Sequence, residues 1–354
     1  MELEQNKFHK QFQLNGTLFS SVEEILSDTK ELSYAIYQFL KCWFDANGSI
    51  IVKTSGSTGT PKSISLKKEF VINSAKATGN YFNLQEHTTA LLCLPIDYIA
   101  GKLMLIRALT LGWKLDVIVS SSNPLEKVEK QYDFSAMVPL QLENSLSKIH
   151  LIKKLIVGGG VVSNELQEKL QTVSTVVFAT YGMTETITHI AAKKLNHVVS
   201  LQGEVTKQSF YQILPDITIY KDDRNCLVID APKVTENILF TNDVVQLISD
   251  RQFEWLGRFD NVINSGGIKL HPEKIEEKFS KIIVNRFFVA GIPDKILGEK
   301  LVLIVEGIKQ EINYESIELS KFEVPKEIYF VKNFLETDSG KIQRKKTLEK
   351  NFTK

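Results

Sequence analysis

Cysteine is scarce. Three thiols, Cys42, Cys93 and Cys226, stand far apart in 354 residues, with no CxxC pair. That pattern excludes a zinc ribbon and a disulfide-stapled secreted scaffold. A chain of this length buries enough apolar surface to need neither. Excess charge is missing as well: 43 Lys and Arg balance 42 Asp and Glu, for a net charge of +1. A dedicated nucleic-acid binder carries a basic footprint and a membrane-surface protein a polybasic patch, so neither class fits. No long uncharged apolar run occurs. The most apolar stretch, Ala90 to Trp113, holds Asp97, Lys102 and Arg107, against the ~20 apolar residues of a membrane span. The polar start, MELEQNKFHKQFQ, has no apolar signal core. The six histidines (9, 87, 150, 189, 197 and 271) show no metal-ligand spacing, and no Ser–His–Asp arrangement, internal repeat or low-complexity tract is found. The expectation is a cytoplasmic enzyme of about two domains, with no nucleic-acid partner and no stable membrane insertion.

What is present is an alternation. Val22–Leu26 and Ile36–Phe44 have helical apolar spacing, with Ser33 placed to cap the second. Ser49–Lys53 reads as a short buried strand. From Leu84 to Thr186, strand-like runs begin at Ala90, Leu115, Phe134, Lys154 and Thr175. Between them the spacing predicts helices over Pro124–Lys130, Gln141–Ile149 and Ser163–Leu170. Strands alternating with helices imply a mainly parallel α/β sheet, whose ligands sit beyond the carboxyl ends of the strands. After Ala191 short strands with polar turns predict a small antiparallel region. A boundary is expected at Gly257–Asn261, dividing residues 1–257 from a smaller α+β segment, 258–354, that opens with a helix over Pro272–Ile283.

Residues 54–63, TSGSTGTPKS, follow the first strand. Thr54, Ser55, Gly56, Ser57, Thr58 and Gly59 let backbone N–H groups and hydroxyls close on an anion, and Lys62 adds charge, which suits a polyphosphate. The P-loop pattern G-x-x-x-x-G-K-[ST] is narrowly missed. Pro61 stands where that loop needs glycine, and proline has no N–H to offer a phosphate.

TSGSTGTPKS instead resembles the phosphate loop of the acyl-adenylate-forming (ANL) superfamily, which includes acyl- and aryl-CoA synthetases, peptide-synthetase adenylation domains and firefly luciferase. Further matches follow in the family's order. Tyr181-Gly182-Met183-Thr184-Glu185-Thr186 resembles its second signature. The resemblance implies that Tyr181 stacks on adenine, Thr184 bonds the α-phosphate and Glu185 binds magnesium, a division that suits the three side-chain types. Gly158, Gly159 and Gly160 resemble the loop beside the adenine and the acyl group. Thr241-Asn242-Asp243 resembles a Thr-Gly-Asp turn whose Asp holds the ribose hydroxyls; Asn242 tolerates the left-handed conformation, so the turn is expected to survive. In the stretch from Gly257 to Glu276, Arg258 is implied to contact the nucleotide and Asp260 to be the hinge of a mobile lid. Ser265, Gly266 and Gly267 are implied to enter the cleft for a thiol step. Thr337–Arg344 resembles the terminal lysine motif, with Lys341 bridging carboxylate and α-phosphate.

The implied chemistry is two-step. A carboxylate attacks the α-phosphorus of MgATP to give acyl-AMP and pyrophosphate; the thiol of CoA then expels AMP. Lys341, Lys62 and Thr184 would align and neutralise the two anions. Leu94–Gly101, LPIDYIAG, resembles the family's Leu-Pro-Leu-Phe-His-x-x-Gly, with Tyr98 on the usual His, at the gate of the acyl pocket. Lys102 and Arg107 follow, and a basic group there suits a second substrate carboxylate. The phosphate loop also comes far earlier than in typical members. Short chains of this appearance look most like the o-succinylbenzoate–CoA ligases of menaquinone synthesis, whose substrate is an aromatic diacid. Another aryl- or acyl-CoA ligase, or an adenylation enzyme loading a carrier protein, fits the same motifs. A nucleotide sensor without turnover fits less well, because Lys341 and Glu185 are retained.

Overall fold

The computed structural model describes residues 8–53, 63–196, 209–336 and 342–352. The apolar runs of the alternating region become the strands Thr89–Leu92, Lys114–Val117, Tyr132–Met137, Ile152–Val157 and Val176–Gly182. All five pair in parallel. Their inward faces pack on apolar side chains such as Phe82, Trp113 and Phe134, the last two fully buried with rings 5.4 Å apart. Burial on both faces explains why these strands read as continuous apolar runs rather than alternating ones.

The antiparallel region is not a separate sheet. His189–Lys194 turns back on Val176–Gly182. Tyr211–Ile213, Gln252–Arg258, Leu239–Leu247, Cys226–Asp230 and Thr218–Lys221 continue from it, all antiparallel. At the other side, Gln13–Leu14 pairs parallel to Lys114–Val117 and hairpins with Thr17–Leu18. Among the described residues one continuous 13-stranded sheet results, and the C-terminal ends of its parallel strands share a rim with its antiparallel half.

One turn of 3₁₀ helix, Phe259–Asn261, separates this sheet from a smaller one. The smaller sheet joins Ile263–Ser265, Ile268–Leu270, Phe287–Asp294, Gly298–Glu306 and Glu327–Val331. Leu301, Leu303 and Val305 face the helix Pro272–Phe279 side, while Val302 and Ile304 pack with Phe288 and Phe334 on the other. The helix Pro272–Phe279 also reaches the large sheet: Lys274 ion-pairs with Glu254, and the Asn164 amide donates to the Glu277 carbonyl at 2.7 Å.

The N-terminal helices form as expected, Val22–Leu32 and Tyr34–Phe44, and Ser33 caps the second through its side chain. Three expectations fail and a fourth holds only in part. Pro124–Lys130 is a succession of i→i+3 turns (Val128 N–H to the Leu125 carbonyl, 3.1 Å), because seven residues rarely repay helix nucleation. Gln141–Ile149 breaks at Ser145 into a helix, Pro139–Asn144, and a 3₁₀ segment, Leu146–Leu151. The helix from Pro272 stops at Phe279 rather than Ile283, where the Ser280 hydroxyl turns back to the Glu277 carbonyl. Ser49–Lys53 forms a separate two-stranded ribbon with Ser63–Lys67 and is buried on one face only: Ile50 and Val52 lie in the core, while Ile51 is 73% exposed. No helix among the described residues is long and apolar enough to cross a membrane.

Candidate active site

The segment after Tyr181 is sharply folded. The strand ends at Gly182, a 3₁₀ turn follows over Thr184–Thr186, and Ile187 adopts φ 66°, ψ −56°. The Thr188 N–H closes on the Thr186 carbonyl at 2.7 Å, completing a γ-turn of the rare, strained kind. A β-branched residue at positive φ stores about 1–3 kcal/mol, held here by burial of Ile187. Gly182 is required: a Cβ there would lie 2.2 Å from the Thr188 carbonyl oxygen. The reversal leaves Glu185 exposed and sends the Thr188 hydroxyl inward.

Asp243, 7% exposed, gathers partners from three strands. The Tyr181 hydroxyl donates to its Oδ2 at 2.7 Å, and the Trp255 indole N–H to its Oδ1 at 3.1 Å. The Arg258 guanidinium lies 3.5 Å from Oδ1 and 3.6 Å from the Asp260 carboxylate. The backbone N–H of Asp243 donates to the Thr241 hydroxyl, which donates to the Leu227 carbonyl. Burial, and next the Asp243 charge, push the Tyr181 hydroxyl well above its usual pKa, so it remains a donor. Its ring stands edge-on to Phe253 at 5.2 Å and to Tyr211 at 5.9 Å. A carboxylate accepts about four hydrogen bonds; Tyr181 and Trp255 use two, leaving lone pairs for a vicinal diol. The expected turn at Thr241–Asp243 is absent: these residues lie inside the strand Leu239–Leu247, and Asn242 is not left-handed. Its side-chain Nδ2 instead donates to the Asp260 carboxylate at 3.3 Å, and its Oδ1 accepts from the Arg224 guanidinium at 3.0 Å.

Arg107 sits on Ile99–Leu111, a helix apolar on nearly every side and therefore buried. It is 3% exposed. One Nη donates to the Thr188 hydroxyl at 3.2 Å, Nε has no partner, and no carboxylate reaches it among the described residues. Burial pulls its pKa down to about 10. His189 lies behind, 3.3 Å from the Thr188 hydroxyl and 3.4 Å from that of Thr78. Burial, with Arg107 as the lesser cause, holds its pKa well below 6.5, so it is a neutral ring. The other basic candidate is engaged: Lys102 donates to the carbonyls of Ile96 and Asp97, both at 2.8 Å. Tyr98 precedes the same helix and is 60% exposed.

Tyr181, Asp243, Arg258 and Asp260 are thus brought together. Gly158, Gly159 and Gly160 follow the neighbouring parallel strand, with Gly159 at φ +79°. Ser265, Gly266 and Gly267 form a hairpin turn of the small sheet. The phosphate loop, Thr54 to Lys62, and Lys341 lie outside the described residues; the strands flanking the loop pair Lys53 with Ser63, so its two ends start side by side. No group of three metal-ligating side chains occurs among the described residues. Magnesium held mainly by phosphates needs only one or two protein carboxylates, and the exposed Glu185 fits that role. Sequence reading missed Trp255 and Thr188. Neither carries a spacing signal: Trp255 reaches Asp243 through the pairing of Gln252–Arg258 with Leu239–Leu247, whose register shifts between Val244 and Val245.

The family model for AMP-binding enzymes matches residues 45–225. The 2-succinylbenzoate–CoA ligase of Listeria monocytogenes is 25% identical, over 92% of this chain and 75% of its own length. That of Escherichia coli is 25% identical over 76% of this chain, which spans 60% of it. A solved acyl-CoA synthetase (AMP-forming)/AMP-acid ligase II-like protein from Dyadobacter fermentans is 37% identical, with a TM-score of 0.59 and coverage of 89% and 93%. The o-succinylbenzoate coenzyme A synthetase of Bacillus subtilis, solved with ATP and magnesium, shares the fold at a TM-score of 0.70 and 18% identity, covering 93% of this chain and 82% of its own. The chain belongs to the AMP-binding enzyme family.

Proposed function

We propose that the protein is an AMP-forming acid–CoA ligase acting in the cytoplasm on an aromatic diacid, 2-succinylbenzoate. The observation that carries the choice of acid is Arg107. A buried guanidinium without a counter-charge is unfavourable unless an anion joins it, and the two-pronged fork matches a carboxylate. Arg107 reads one carboxylate, with Thr188 as co-donor, and leaves the other free to react. The neutral His189 adds no competing charge.

In the first step the free carboxylate oxygen attacks the α-phosphorus of ATP and pyrophosphate leaves. In the second, the CoA thiol attacks the acyl carbon and AMP leaves with its bonding pair. Neither step needs a nucleophile from the protein. Asp243 orients the ribose hydroxyls, its own carboxylate fixed by Tyr181 and Trp255, and Arg258 balances its charge. Lys62, Thr184 and Lys341 supply donors to the phosphates and the attacking carboxylate. Magnesium, when bound, neutralises phosphate charge, and Glu185 would hold it. Residues 258–354 act as the lid, turning about Asp260, whose exposed carboxylate joins Asn242 and Arg258 from the large sheet.

The test is incubation with ATP, Mg²⁺, CoA and a panel of carboxylic acids, with AMP and thioester followed by mass spectrometry. 2-Succinylbenzoate should give its thioester and one AMP each turnover. If it is inert while another acid reacts, the choice of acid is wrong; if no acid releases AMP, the ligase reading is wrong. Lys341→Ala should abolish ATP–pyrophosphate exchange yet largely spare thioester formation from supplied acyl-AMP.

A further inference from the structure

A cavity of ≈ 270 Å³ lies where the large sheet meets the segment beyond Asp260. Four basic side chains line it, Lys221, Arg224, Lys269 and His271, and no acidic one does. That is a marked local bias in a chain of net charge +1. Arg224 is already engaged by Asp222, Asn242 and the Thr241 carbonyl, and its guanidinium lies over the Phe259 ring at 5.3 Å. Lys221 and Lys269 have no ion-pair partner among the described residues. The His271 Nδ1 is buried without a hydrogen bond. Beneath these groups the wall is apolar, with Val244 and Phe259 in it. Val244 follows Asp243 in an extended strand, so the two side chains face opposite ways. The cavity therefore stands behind the Asp243 cluster, not within it.

We infer that this cavity is a ligand site for an amphipathic anion: a phosphate monoester carried on a flat apolar body. Lys221 and Lys269 supply charge to the head group from opposite walls, His271 adds a ring nitrogen, and Val244 and Phe259 receive the body. Lys221 precedes Asp260 in the chain and Lys269 and His271 follow it. A bound ligand thus ties the two sides of that turn together and holds the small sheet in the orientation seen here.

The test uses the full chain and 1-naphthyl phosphate as probe, by calorimetry and hydrogen exchange. Saturating AMP is added to occupy the Asp243 cluster; because that occupancy rests on the function proposed above, Asp243→Ala without AMP serves as the independent arm. One equivalent of probe should bind in both arms, and amide exchange over residues 263–271 should slow several-fold. Lys221→Glu combined with Gln246→Glu, both at exposed positions, should weaken the probe at least tenfold and leave AMP affinity within twofold. Lys269→Met should weaken it from the other wall. Displacement of the probe by AMP, with no binding to Asp243→Ala, would overturn the inference. So would undiminished binding to the variants, or equal binding by inorganic phosphate alone.

Discussion

Asp243 and Arg107 are both buried charges, 7% and 3% exposed, and the molecule treats them in opposite ways. Asp243 is met by a phenol, an indole and a guanidinium from its own chain. Arg107 is met by one hydroxyl, and its Nε has none. A paired buried charge is held in place; an unpaired one raises the energy of the free protein until an anion arrives. Under the function proposed above, the difference means that the nucleotide end is organised before binding, whereas the acyl end is completed by what binds. Both ends hang on one strand pair, since Tyr181 and Thr188 flank the same strained reversal at Ile187.

The largest effect should come from removing the unpaired charge. Arg107→Met should cost the proposed diacid at least a hundredfold in kcat/KM, as expected for loss of a buried charged partner, about 2–5 kcal/mol. The same change should stabilise the free protein by about 1–4 kcal/mol, because an uncompensated buried charge gives way to apolar packing; urea unfolding checks this. Asp243→Ala should act in the reverse sense. It strands the Tyr181 and Trp255 donors, lowering stability by about 1–3 kcal/mol and weakening ATP by more than tenfold. An unchanged KM for ATP would break the comparison at that end.

The pH response is smaller. His189 is neutral in the folded protein and ordinary, near 6.5, once unfolded. Below pH 6.5 the unfolded chain binds the extra proton, so stability is full above that pH and falls as pH drops through it, by up to about 1.4 kcal/mol per unit. His271, lowered mainly by burial, adds in the same direction. Unfolding midpoints between pH 7.5 and 5 should show the slope, and His189→Gln should flatten it. The smallest effects belong to groups with local roles. Trp255→Phe removes one donor to Asp243 and should raise the KM for ATP about fivefold, about 1 kcal/mol. Lys102→Met should leave acid kinetics within about twofold, since its ammonium is spent on two carbonyls and the net worth of such bonds is about 1 kcal/mol each to stability.

Much of this was legible in the sequence for a physical reason. The parallel strands are buried on both faces, so their apolar runs stand out, and Ser33 and Ser163 mark helix starts by chemistry that acts within three residues. Tyr181, Asp243 and Arg258 were readable as motif members, but their hydrogen bonds span as many as 62 residues of sequence and belong to the sheet pairing. Trp255 and Thr188 were missed because each acts through a neighbour brought in by register, not by spacing. The choice between Lys102 and Arg107 was equally invisible. Both lie on one helix, and only packing decides which cation finds carbonyls and which is buried alone. Short helices such as Pro124–Lys130 failed because seven residues carry too little periodicity to outweigh local turns.

The most direct measurement is a cycle of two substrates and two proteins. The proposed diacid and the monoacid lacking its ring carboxylate, 4-oxo-4-phenylbutanoate, are compared by kcat/KM in the native protein and in Arg107→Met. The account predicts that the native protein prefers the diacid by at least a hundredfold and that Arg107→Met loses the preference almost entirely, with the KM for ATP unchanged. A variant that keeps the native preference would contradict it.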